Sequence, residues 1–87
     1  MIEFIYAPAF IKQFNKLDKD LKREVLEKIE LFKDKNNHSI LKVHKLHGRF
    51  KESYSFYVNY KIRIIFMWFQ NEVAFLAIGD HDIYKGE

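Results

Sequence analysis

An 87-residue chain with 48% hydrophobic residues, nine Phe and five Tyr can bury one core and is too short for two. That composition excludes a disordered chain, which would be poor in aromatics. The lack of Cys excludes a disulfide scaffold, and a formal charge of +3 favours a polyanionic partner without requiring one. Residues 1–87 are therefore expected to form a single domain.

The opening "MIEFIYAPAF" lacks the basic and long apolar segments of a signal peptide. The longest apolar run, "IIFMWF", is far short of a membrane span. A protein of the reducing cytoplasm is expected. "IEFIYA" (2–7) mixes β-branched and aromatic residues and predicts a first strand. Pro8 is placed to open a helix over roughly 8–16, where Phe10, Ile11, Phe14 and Leu17 repeat at helical spacing. Asp18 can cap a second helix, whose stripe is Leu21, Val25, Ile29 and Phe32. The turn formers of "KDKNNHS" (33–39) end it. A short link makes the two helices a hairpin.

From there the apolar period changes from about four to two. "ESYSFYV" (52–58), "KIRIIFMWF" (61–69) and "VAFLAI" (73–78) predict three strands in an antiparallel meander, the last pair joined by Gln70-Asn71-Glu72. The fold class is α+β: an N-terminal strand, a helical hairpin and the meander, with both helices on one face of the sheet. Alternation sends Ile62, Ile64, Phe66 and Trp68 to the helix side. Lys61, Arg63, Ile65, Met67 and Phe69 go to the open face, whose apolar members predict a cover there, such as a partner.

Three features could carry chemistry. "HSILKVHKLHGRFK" (38–51) holds His38, Lys42, His44, Lys45, His47, Arg49 and Lys51 without a carboxylate. It suits phosphate contacts and base stacking, or it is a solvated basic loop. Arg63 presents a planar fork that matches phosphate oxygens, or pairs across strands. In "AIGDHDIYK" (77–85), an imidazole at His81 can give or take a proton near neutrality, and Tyr84 can orient, stack or donate. The bland alternative there is a polar tail, with Asp80 and Asp82 free to fix the imidazole.

Other chemistries fit less well. A zinc site would need His44, His47, His81 and Asp80, at spacings common by chance. Gly48, Gly79 and Gly86 form no phosphate loop, and Ser39, Ser53 and Ser55 lack a nucleophile-elbow context. Two-metal chemistry needs clustered carboxylates, and only Asp80 and Asp82 approach that. What remains is metal-free chemistry on RNA, which supplies its own nucleophile, the 2′-OH. No cofactor is expected.

The β-α-α-β-β-β order, "HKLHG" (44–48), "YKIRIIF" (60–66) and "GDHDIYK" (79–85) together resemble the RelE/ParE superfamily of bacterial toxins. The pattern is most similar to its ribosome-dependent mRNA interferases of the RelE, YoeB and YafQ kind. The resemblance implies a toxin of a type II toxin–antitoxin system that cuts mRNA in the ribosomal A site and is held inactive by an antitoxin. Carried over by position, Arg63 would contact the scissile phosphate. His81 would act as acid or phosphate stabiliser, Tyr84 as the aromatic that stacks on or orients the RNA, and His44 as a further catalytic histidine. Lys42, Lys45, His47, Arg49, Lys51, Tyr57, Lys61 and Lys85 would form the RNA- and ribosome-binding surface. Two strand lysines used by RelE are replaced by Ser55 and Tyr57, so either His44 or Tyr57 would have to compensate or the base lies elsewhere. The alternatives are a ParE-like inhibitor of DNA gyrase without nuclease activity, or an inactive member that only binds its antitoxin.

Overall fold

The computed structural model describes residues 2–48 and 52–84. Strand β1 (Glu3–Tyr6) leads into helix α1 (Pro8–Asn15), which starts on its proline, and helix α2 (Lys19–Phe32) follows. The Asp18 carboxylate caps α2 by accepting the Leu21 N–H at 2.8 Å. The remaining strands are β2 (His44–Lys45), β3 (Tyr54–Tyr57), β4 (Arg63–Phe69) and β5 (Glu72–Gly79). A 3-10 turn, His81–Tyr84, follows β5.

Five strands form one mixed sheet in the order β1-β5-β4-β3-β2. The expected meander is present, since β3, β4 and β5 pair antiparallel in sequence. Two features go beyond the expectation. β1 joins parallel to β5, Glu3 opposite Glu72 and Tyr6 opposite Phe75. Part of the supposed basic loop is a short edge strand, with His44 opposite Ser55 and Lys45 opposite Tyr54.

The core lies between the helices and one sheet face. Phe10, Val25, Ile29 and Phe32 meet Phe56, Ile64, Phe66, Val73, Phe75 and Ile78, all buried. Phe32 is its hub: its ring stacks on Phe56 at 4.6 Å and meets Phe66 edge-on at 4.9 Å. His38 belongs to this layer, not to the basic surface. Its ring stacks on Phe32 at 4.6 Å, and Nε2–H donates to the Phe32 carbonyl at 2.8 Å.

The register of β5 shifts between Ile65 and Phe66: Ile65 faces Ala77 but Phe66 faces Phe75. Leu76 is the extra residue of this bulge. Strict alternation from Val73 and Phe75 would send Ile78 to the open face. The bulge restores it to the core and sets Gly79 beside Arg63. On α1, Gln13 steadies this point by accepting the Ile78 N–H at 2.9 Å.

The open face also departs from its expectation. Ile65 is 1% exposed although it points away from the helices. The chain covers this side itself, because the 81–84 turn folds back over β5 and reaches Ser55. Phe69, farther along, stays half exposed.

Candidate functional site

Antiparallel partners share a sheet face, so the register places the site residues. Tyr57 faces Arg63, and Arg63 faces Gly79. One step along, His44 faces Ser55, and Ser55 faces Ile65. These two rows lie side by side on the face away from the helices.

Arg63 is held by rings. Its guanidinium carbon lies 4.6 Å from the Tyr57 ring centre and 5.7 Å from that of Tyr84. Such contacts fix a planar cation while leaving N–H groups for a ligand. All three ion pairs found among the described residues run along α2 and its end: Arg23–Asp20, Lys28–Glu24 and Lys33–Glu30. None involves Arg63 or the cations around it.

Gly79 lets the 81–84 turn approach. A Cβ there would meet the Ile83 Cγ2 at 2.4 Å, closer than atoms can pack. The Asp80 side chain accepts the Asp82 N–H at 2.8 Å, and its carbonyl accepts the Ile83 N–H at 3.1 Å. Asp80 thus caps the turn, where the sequence had suggested an imidazole partner. Within the turn the rings of His81 and Tyr84 meet edge-on at 5.4 Å. The Tyr84 hydroxyl shares a hydrogen bond with the hydroxyl of fully buried Ser55.

His44 approaches from β2, its ring 6.3 Å from that of Tyr57. Its Nδ1–H donates to the Lys42 carbonyl at 2.8 Å. Lys42 takes a left-handed backbone, φ 59°, rare for a residue with a side chain. With Nδ1 protonated, a neutral His44 keeps its lone pair on Nε2, the nitrogen suited to accept a proton. The Lys42 ammonium sits 5.9 Å from the Tyr57 ring centre.

A cleft of about 270 Å³ gathers His44, Lys45, Leu46, His47, Tyr57, Arg63, His81 and Tyr84. All four expected catalytic residues border it, with three of the expected binding residues. A second cleft of about 360 Å³ lies on the other side of Arg63 and His81, bordered also by Tyr60, Lys61, Asp80 and Asp82. Lys42 stands behind Tyr57, and Lys61 is at the second cleft. Arg49, Lys51 and Lys85 lie outside the described residues. A larger concavity, about 580 Å³, lies around Glu3, Phe69 and Glu72 and holds neither histidine nor cation. His44, His47, His81 and Asp80 do not converge: no three potential metal ligands do so among the described residues.

Sequence reasoning missed Tyr60 and gave Ser55 and Asp80 other roles than the ones they hold, as the partner of Tyr84 and the cap of the 81–84 turn. Ser55 could have been found through alternation, which puts it on the face of Tyr57. An aromatic in a turn, like Tyr60, carries no such signal.

Two helices on one face of a five-stranded mixed sheet is a fold this chain shares with the solved structures of YafQ, YoeB and RelE. YafQ of E. coli superposes with a TM-score of 0.79 at 18% identity, covering 99% of this chain and 100% of that one. YoeB in a YoeB–YefM complex from Staphylococcus aureus gives 0.73 at 15%, covering 93% and 98%. Archaeal RelE, in a RelE–RelB complex from Pyrococcus horikoshii, gives 0.69 at 18%, covering 91% and 93%. YafQ is also known in a toxin–antitoxin complex with DinJ. No family model and no curated protein matches the sequence. No helix among the described residues is long and apolar enough to cross a membrane.

Proposed function

We propose that this protein is the toxin of a bacterial type II toxin–antitoxin system, acting in the cytoplasm as an endoribonuclease on mRNA in the ribosomal A site. The observation that carries the reading is the single cleft bordered by Arg63, His81, Tyr84 and His44. The shared fold with YafQ, YoeB and RelE supports it, and their complexes support a protein antitoxin as partner.

The chemistry is an in-line attack of the RNA 2′-OH on its own phosphodiester. A base takes the 2′-OH proton, the 2′-oxygen bonds to phosphorus and the bond from phosphorus to the 5′-oxygen breaks. The leaving oxygen takes a proton, giving a 2′,3′-cyclic phosphate and a 5′-hydroxyl end. His44 is suited to act as base through Nε2, since Lys42 holds Nδ1. Arg63 stabilises the charge that grows on the phosphoryl oxygens. His81 protonates the leaving oxygen. With its hydroxyl held by Ser55, Tyr84 offers its ring to position Arg63 and His81. No step needs a metal ion.

The test is primer extension on a defined mRNA in a purified translation system. Wild-type protein should give discrete cuts that require ribosomes. Arg63→Ala and His81→Ala should each lower the cleavage rate by about 10²-fold or more. Cuts at full rate in both variants would remove the assignment. Intact mRNA together with stalled gyrase–DNA complexes would point to gyrase inhibition.

A further inference from the structure

Tyr60 is 89% exposed, so it adds almost nothing to the core. Yet its turn is firmly braced. The Asn59 side-chain oxygen accepts the N–H groups of Lys61 at 2.8 Å and Ile62 at 2.7 Å. Its amide nitrogen donates to Glu24 on α2 at 2.8 Å. Lys28, also on α2, donates to the Val58 carbonyl at 3.0 Å. An aromatic ring is thus presented to solvent from a fixed turn, at the rim of the cleft that Arg63 and His81 share with the catalytic one.

The two clefts differ in charge. Around the first stand His44, Lys45, His47 and Arg63. The second is bordered by the cations Lys61 and Arg63 and also by the carboxylates Asp80 and Asp82. Two carboxylates repel a phosphate but accept hydrogen bonds from the amino groups of a base. A base stacks readily on an exposed ring, whatever its sequence.

Resting on the nuclease reading, we infer that the second cleft is a nucleotide subsite. Arg63 grips the scissile phosphate between the clefts, and the base of an adjoining nucleotide stacks on Tyr60. Asp80 and Asp82 favour a base that offers an amino group. Tyr60 acts on binding and register, not on the bonds that change.

Two measurements on programmed ribosomes test this. The first is the concentration dependence of single-turnover cleavage. Tyr60→Ala should raise the half-saturating toxin concentration about tenfold, with a nearly unchanged maximal rate, and Tyr60→Phe should restore it. The second uses mRNA blocked by a 2′-O-methyl group at the cleaved nucleotide, with 2-aminopurine beside it. Wild-type protein and Tyr60→Phe should quench its fluorescence and Tyr60→Ala should not. The exposed site makes misfolding of the variant a minor concern. Equal half-saturation and equal quenching in Tyr60→Ala would overturn the subsite while leaving the nuclease intact. If wild-type protein does not cleave at all, the nuclease reading fails, and the quenching experiment alone decides the subsite. Unchanged RNA behaviour with lost binding of the antitoxin encoded beside it would make Tyr60 a protein contact and overturn the proposal.

Discussion

Ser55 is fully buried on the open face, and its hydroxyl meets Tyr84. A buried hydroxyl needs a partner, so the pair fixes the ring against which Arg63 and His81 lie. Ser55→Ala and Tyr84→Phe should each cost about 1 kcal/mol in urea denaturation. The double variant should lose little more than either single one, and additive losses would show that the two hydroxyls are uncoupled. Arg63→Lys keeps the charge but loses the fork and its flat contact with Tyr57 and Tyr84. RNA binding should persist while the cleavage rate falls about tenfold or more, which a comparison of binding and single-turnover rates would reveal. Arg63 was legible in the sequence because an arginine among β-branched residues stands out and alternation gives its face. The Ser55–Tyr84 pair was not, because a strand serine reads as filler and 29 positions separate the two.

At the scale of elements, the approach of the 81–84 turn depends on Gly79. Gly79→Ala should push Ile83 away and carry His81 and Tyr84 with it, so cleavage should fall steeply. Adding Ile83→Ala removes the clashing Cγ2 and should recover part of the rate. Failure of that rescue, in a double variant that circular dichroism shows to be folded, would count against this account. The order of elements was legible because a proline, an aspartate cap and a change of period mark each boundary. β2 escaped notice because two residues make no pattern. The Leu76 bulge was equally hidden, since one extra residue in an apolar run leaves the run apolar. Ile65 was assigned to the open face correctly, but its cover is the chain's own turn.

For the molecule as a whole, the helix-side layer carries stability and the opposite face carries the candidate site. Phe32 contacts rings from β1, β3, β4 and β5. Phe32→Ala should cost about 3–5 kcal/mol, a large share of what a domain this small possesses, and chemical denaturation would measure it. The position of β5 has a separate consequence. It lies between β1 and β4, yet it is the last of the five strands in the chain. During synthesis, β1 must wait some 70 residues for the strand it pairs with. Until β5 leaves the exit tunnel, β1 has no strand to pair with, and neither Gly79 nor the turn after it can reach Arg63. On the proposed function, a half-made chain would therefore be an inert one: the order of translation delays the assembly of the candidate site until the sheet can close.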